Sequence, residues 1–239
     1  MKKHKTSPLD IPAGLMFLSY LLEGVIALVG FGILWYFGRE YILVDVRRYI
    51  KFDATGLFVP PTLIFFGCAA LWAIISGRSY SHESKPVLVG RALWLSANAG
   101  FWEELLYRGL VFMSAMVLIP LSNFLLLGFA GLNIVNWLYQ SISVPVSNFF
   151  TLGLMHAHIF TNPWVVGAAL VSAAGKFSDA HAYLGLIGRI NSWFAGVFLF
   201  WIMFNYGMIT GMVIHFIYDA TILVVAALRP KNVGISWLR

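Results

Sequence analysis

Charged residues are scarce in this 239-residue chain. They make up 11% of it, whereas soluble domains carry about 25%. With 60% hydrophobic residues and a mean hydropathy of +0.81, the chain cannot cover a water-facing surface, which excludes an ordinary soluble protein. Apolar runs of roughly 20 residues recur, the length that crosses a bilayer, and backbone in lipid is satisfied within helices. We therefore predict an all-α, polytopic membrane helix bundle, formed by a single domain over residues 1–239.

Cysteine is nearly absent, and so are internal repeats. Cys68 stands alone, which excludes an intramolecular disulfide and a cysteine-based metal site. The lack of an evident inverted repeat disfavours a transporter, although buried ionisable groups leave that class open. The net charge of +6 is expected to face anionic lipid rather than nucleic acid, so the lipid bilayer is a predicted partner and nucleic acid is not.

About eight helices are predicted, two of them short. Pro120 marks a predicted break, and Asn205-Tyr206-Gly207 is the predicted turn before the last helix. The predicted helices run about Pro12 to Phe37, Pro60 to Gly77, Val87 to Leu118, Leu121 to Tyr139, Val146 to Phe160, a short one from Pro163 to near Gly175, Ser192 to Phe204 and Gly207 to Leu228.

The basic residues predict the orientation. The first apolar run has no evident cleavage site after MKKHK, so it is expected to be retained as a span. With the N-terminus inside, eleven basic residues fall in cytoplasmic segments: Lys2, Lys3, Lys5, Arg78, Lys85, Arg91, Lys176, Arg189, Arg229, Lys231 and Arg239. Four fall outside: Arg39, Arg47, Arg48 and Lys51. Cytoplasmic N- and C-termini follow from this excess.

Three charged residues cluster in the third predicted span, GFWEELLYRGLVF. An ionisable group at the bilayer centre costs roughly 3 kcal/mol on insertion scales, so the cluster marks a functional site. Glu104 and Arg108 are four residues apart on one helix face and are predicted to pair. Glu103 is turned about 100° away from Glu104. A carboxylate without that partner, in a partly dry site, is a candidate general base.

Two later helices carry further ionisable groups. His156 lies on the fifth predicted helix, while His215 and Asp219 share one face of the eighth. Groups on three apolar helices can converge on one water-filled intramembrane cavity, which we expect here. His158 is turned roughly 200° from His156, so only one of the two can face that cavity. The remaining histidines are expected to be solvated: His4, His82 and His181.

From Asn98 to Val225, the order of these motifs resembles the CPBP family of intramembrane proteases, which includes CaaX prenyl endopeptidases of the Ras-converting type and bacterial Abi proteins. EELLYRG and GMVIHFIYDA carry most of the resemblance, with LGLMH as the second motif. That motif usually begins with Phe, where this chain has Leu152. Asp219 stands where CaaX endopeptidases typically have Asn.

The resemblance implies a glutamate-dependent endopeptidase that acts without a cofactor on a membrane-associated peptide or protein, in the cell membrane of a prokaryote. Glu103 would activate a water that His156 positions, and His215 with Asp219 would stabilise the oxyanion. Glu104 and Arg108 would support the site or receive the substrate's terminal carboxylate. Since an ionised carboxylate cannot donate a hydrogen bond, Asp219 would more plausibly orient His215, with His215 as the donor.

Other functions stay open at this point. Glu103, His156, His215 and Asp219 are all possible Zn²⁺ ligands, although no H-E-x-x-H motif is present, so zinc is an alternative to the metal-independent site we predict. A non-proteolytic Abi-type immunity or scaffold protein is the second alternative. The sequence predicts no particular oligomeric state.

Overall fold

The chain folds into a bundle of helices. The computed structural model describes residues 13–40, 42–75, 84–159 and 163–228. Within these ranges there are eight helices and no strand, which confirms the predicted all-α bundle. The helices are α1 (Ala13–Gly38), α2 (Pro60–Ile75), α3 (Lys85–Leu125), α4 (134–150), α5 (His156–Ile159), α6 (Trp164–Ala180), α7 (Gly185–Tyr206) and α8 (Met208–Leu228).

Four of the described helical segments are long and apolar enough to cross a membrane. They are Leu18–Gly38 of α1, Lys85–Leu125, Ala182–Tyr206 and Met208–Leu228. Many large apolar side chains on α1 and α2 are exposed, as a lipid-facing surface requires. These features are those of a multi-pass membrane protein.

The break predicted at Pro120 is wrong. Helix α3 continues through Pro120 to Leu125, and it includes a π-helical stretch, Leu105–Val111. Membrane helices tolerate proline because neighbouring helices, Ser and Thr side chains and local adjustments of the helix satisfy the backbone groups that it frees. The chain reverses only after Leu125, where Leu127 and Gly131 adopt left-handed conformations. The helix predicted over 121–139 therefore lies further along, as α4.

The helix predicted over 146–160 is also wrong. Helix α4 ends at Phe150, and the next residues form a turn in which Leu152 and Gly153 have φ of 51° and 77°. The Gly153 N–H donates to the Asn148 carbonyl, a bond that closes the end of the helix. Only a short helix, α5, carries His156 and His158. Asn162, where the predicted helix was to end, lies outside the described residues.

Glycine allows the helices around the centre of the bundle to approach closely. A Cβ at Gly100 of α3 would lie 2.8 Å from the Met212 oxygen and 2.9 Å from the Phe216 nitrogen on α8. The turn predicted over Asn205-Tyr206-Gly207 is confined to Gly207, because α7 continues through Tyr206. Gly207 has φ of 105° there, and its N–H donates to the carbonyls at the end of α7. The close approach of α3 and α8 brings together EELLYRG and GMVIHFIYDA, the two motifs that carry most of the resemblance.

The loop between α1 and α2 packs on the turn between α7 and α8. The Ile209 N–H donates to the Lys51 carbonyl, and the Asp53 N–H donates to Thr210 Oγ1. This loop carries the four basic residues predicted outside, and the opposite end of the bundle carries Lys85, Lys176 and Arg189. The predicted cytoplasmic termini, Arg78, His4 and His82 lie outside the described residues.

Candidate active site

The predicted pair of Glu104 and Arg108 is confirmed, and it is fully buried. Arg108 Nη1 lies 2.9 Å from Glu104 Oε1. Arg108 Nη2 donates to the Gly196 carbonyl of α7 at 3.1 Å. The guanidinium also lies 4.7 Å and 5.4 Å from the ring centres of Phe177 and Phe200. The cation thus connects α3 with α6 and α7 through partners that suit its charge.

Glu104 has a second partner that the sequence did not predict. His215 Nδ1 lies 2.8 Å from the same Glu104 oxygen. Because an ionised carboxylate only accepts, this nitrogen carries hydrogen and donates. His215 Nε2 then faces two other carboxylates, 3.5 Å from Asp219 Oδ2 and 3.9 Å from Glu103 Oε2. Glu104 therefore holds the His215 ring in place, and Asp219 flanks its outer nitrogen.

His181, predicted to be solvated, lies in the site. Its Nε2 is 3.9 Å from Glu103 Oε2, and both side chains are 17% exposed. Its Nδ1 is 2.8 Å from the Phe177 carbonyl oxygen, which can only accept, so Nδ1 carries the hydrogen. The outer nitrogens of His181 and His215 therefore face one oxygen of Glu103, and each ring is fixed from behind.

His156 does not line this site. It is exposed on α5, with Nδ1 3.3 Å from Asn148 Oδ1. The turn after α4 directs the chain away from the cavity. His158 is half-buried, with its ring stacked on Phe204, and burial lowers its pKa. Of the four residues predicted to converge, the structure brings together Glu103, His215 and Asp219.

The sequence contains a signal for His181. Phe177 precedes His181 by four residues, the same spacing that separates Leu152, where the second motif usually has Phe, from His156. Phe177 also contacts the rings of His181 and His215, at 4.6 Å and 5.8 Å between centres. Because His181 lies just after α6, in a polar segment, the sequence alone gave it the character of a loop residue.

Glu103, His181, His215 and Asp219 line a cavity of about 140 Å³. Other lining residues include Tyr20, Trp72, Tyr183, Asn191 and Ser192. The volume takes several waters. Glu103 Oε2 is buried and makes no direct hydrogen bond within the described part of the chain. A separation of 3.9 Å is too long for a direct hydrogen bond, and the adjoining cavity has room for a water that contacts both the carboxylate and an imidazole.

Three carboxylates surround one guanidinium and two imidazoles in this cluster. Glu103 and Asp219 reach the cavity, whereas Glu104 and Arg108 lie behind it. Among the described residues, no group of three or more His, Cys, Asp or Glu side chains is arranged to hold a metal ion. The arrangement is suited to moving protons between a carboxylate, a water and histidine.

Comparisons of the chain with protein-family models, with curated proteins and with solved structures find no significant match.

Proposed function

We propose that this protein is an intramembrane, glutamate-dependent endopeptidase of the CPBP type. The observation that carries the proposal is the position of Glu103. Its Oε2 lies 3.9 Å from the outer nitrogens of both His181 and His215, in a cavity among membrane-spanning helices. A buried carboxylate facing two oriented imidazoles is the arrangement that general-base catalysis needs.

Glu103 takes a proton from a water, and the water oxygen attacks the carbonyl carbon of the scissile peptide bond. His181 Nε2 accepts the second hydrogen bond of that water, because its Nδ1–H is committed to the Phe177 carbonyl. His181 thus takes the role that the motif first assigned to His156. Glu103 then delivers the proton to the leaving amine as the C–N bond breaks.

His215 is the donor to the oxyanion in this scheme. Its Nδ1–H is held by Glu104, so Nε2 donates when the ring is doubly protonated. Asp219 and Glu104 neutralise the charge of that ring, which is the orienting role expected of an aspartate at this position. A preorganised donor of this kind contributes about 10²- to 10³-fold to turnover.

Glu104 and Arg108 support the site instead of binding the substrate's terminal carboxylate. Both side chains are 0% exposed, and their contacts reach α7 and α8. A substrate could not reach the guanidinium without breaking a buried ion pair. Of the two roles implied by the resemblance, burial favours the supporting one.

The substrate is a membrane-associated peptide or protein. The cavity is bounded by membrane-spanning helices and by Tyr183 and Leu184, at the start of the segment leading into α7. That end of the bundle carries the basic residues expected at the cytoplasmic face. We propose cleavage close to the cytoplasmic surface of a prokaryotic cell membrane.

The test compares membrane proteomes of cells carrying wild type, Glu103→Gln and a matched control, Glu40→Gln, which neutralises an exposed loop carboxylate. A substrate that accumulates only with Glu103→Gln is then assayed in liposomes. We expect Glu103→Gln to lose about 10²- to 10⁴-fold in turnover while it folds normally. Unchanged turnover would favour the scaffold or immunity function.

Zinc is tested on the same purified protein. We expect well under one equivalent of zinc by elemental analysis and no loss of activity after dialysis against a membrane-permeant chelator. Stoichiometric zinc whose removal and return switch activity off and on would replace the Glu103-water scheme with a zinc-bound water.

A further inference from the structure

A second cavity, larger and almost wholly apolar, lies beside the candidate active site. Its volume is about 530 Å³, and it is bounded by α2, α7 and the turn after α4. Its lining includes Phe65 and Cys68 of α2, Leu152 of the turn, and Phe198 and Trp201 of α7. We call it the side cavity. No step of the proposed hydrolysis uses it.

The side cavity and the polar cavity share one wall. Phe65, Asn191, Ala195 and Tyr218 line both. The Phe65 ring stacks on that of Tyr218, and the Asn191 side-chain amide donates to the Tyr218 hydroxyl oxygen at 2.7 Å. This hydrogen bond keeps the polar groups of the wall satisfied and leaves the side cavity apolar.

The mouth of the side cavity opens to the exposed, apolar surface of the bundle. Ile64, Phe150, Leu152 and Leu154 line the cavity and are also exposed, Leu152 to 88%. Leu152 adopts the left-handed conformation, with φ of 51°, which a leucine rarely does. Backbone of this kind concentrates at ligand clamps and other functional positions. Here it places an apolar side chain at the rim.

The surroundings determine what can fill such a cavity. Water leaves apolar cavities empty, and an empty cavity loses the dispersion contacts of its walls. Helix α7 belongs to the membrane-spanning segment Ala182–Tyr206, so hydrocarbon is the solvent beside the part of the side cavity that α7 lines. A methylene group has about the volume of a water, roughly 30 Å³, so the side cavity of about 530 Å³ takes on the order of 18 methylenes.

A partner helix fits this space poorly. A helix is about 10 Å across, so 530 Å³ holds roughly 7 Å of it, little more than one turn. A single flexible chain fills the same volume without that restriction. We propose that the side cavity binds one acyl chain of a bilayer phospholipid. This site is independent of the proposed peptidase activity.

The test uses the full chain in liposomes with a phosphatidylglycerol that carries a diazirine on a palmitoyl chain. After photolysis, cross-links are mapped by mass spectrometry. We expect cross-links at Phe65, Cys68 and Phe198 to be at least about fivefold more frequent than at Leu22 and Val29, exposed residues of α1. A probe with an octanoyl chain should show less of this preference because it fills less of the cavity.

Two neighbouring residues of α2 provide matched variants. Ile64 lines the mouth, whereas Leu63 is similarly exposed but does not line it. Ile64→Trp should abolish the preference, and Leu63→Trp should keep it. Cys68→Phe, with Leu71→Phe as its control, repeats the comparison if Ile64→Trp folds poorly. Equal labelling of α1 and the lining, labelling unchanged by the blocking variants, or cross-links to a second copy of the chain would each overturn the proposal.

Discussion

Two pairs of histidines in this molecule differ in the groups that their rings face. His181 and His215 each donate through Nδ1 to an acceptor, a backbone carbonyl or Glu104, and turn Nε2 toward Glu103. His156 is exposed beside the Asn148 amide, and His158 stacks on Phe204. A histidine in an apolar segment therefore does not by itself belong to the candidate site. Fixed orientation toward a carboxylate is what separates the two pairs.

The largest expected effect separates His181 from His156. In the proposed mechanism His181 positions the attacking water, so we expect His181→Ala to lower turnover by about 10²- to 10⁴-fold. His156→Ala should leave turnover nearly unchanged because its ring lies outside the cavity. The measurement is kcat and KM of both variants on one identified substrate in liposomes. An equal loss in His156→Ala would show that the segment around α5 moves into the site during catalysis.

The unfolding free energy should depend on the buried ion pair of Arg108 with Glu104 far more than on the surface pair of Arg48 with Asp45. Arg108→Ala leaves Glu104 buried without its cation, and we expect a loss of roughly 3–5 kcal/mol in unfolding free energy. Arg48→Ala is the control, since Arg48 is 82% exposed and solvent screens its pair with Asp45, so its removal should leave the unfolding free energy nearly unchanged. Denaturant unfolding in detergent measures both. Similar stability of the two variants would contradict the supporting role of Arg108.

Glycine variants of α3 test whether the close approach of α3 and α8 positions His215. Gly100→Ala places a methyl group 2.8 Å from backbone of α8, and such overpacking typically costs about 1–3 kcal/mol. Pushing α3 away also lengthens the contact between Glu104 and His215, so activity should fall with stability. Gly90→Ala is the control, because a Cβ there meets nothing within 4 Å. If both variants behave alike, the close approach of α3 and α8 does not set the site.

The smallest expected effect is on the pH dependence of stability, and it concerns His158. Burial lowers the pKa of His158 below its usual 6.5, so the folded protein binds fewer protons there than the unfolded chain. The stability contributed by the neutral ring is present above pH 6.5 and is lost progressively as pH falls below that value. His158→Phe should reduce this acid-side decline in melting temperature. If the melting temperature of His158→Phe falls at acid pH as steeply as that of wild type, other groups cause the decline.

The sequence predicts best what lies within one helix. Spacing alone placed Glu104 beside Arg108 and His215 on the same face as Asp219, because an α-helix brings residues four apart together. It could not predict which helices meet. That depends on the contact of Gly100 with α8 and on the left-handed turn at Leu152, which removes His156 from the centre. His181 was missed because the end of α6 is joined to the site by tertiary packing, not by helical periodicity.

The π-helical stretch in α3 rotates the side chains that follow it about the helix axis, relative to those before it, while the helix stays continuous. Before it, Lys85–Glu104 packs on α8; after it, Phe112–Leu125 packs on α6. A π-helical stretch is equivalent to an α-helix with one residue inserted, which advances everything beyond it by about 100°. Deleting a single residue from Leu105–Val111 would remove this rotation between the two halves of α3. Glu103 and Glu104 could then face α8 only if Phe112 and Met116 turned away from α6. One added residue therefore lets a single helix serve two neighbours on different sides.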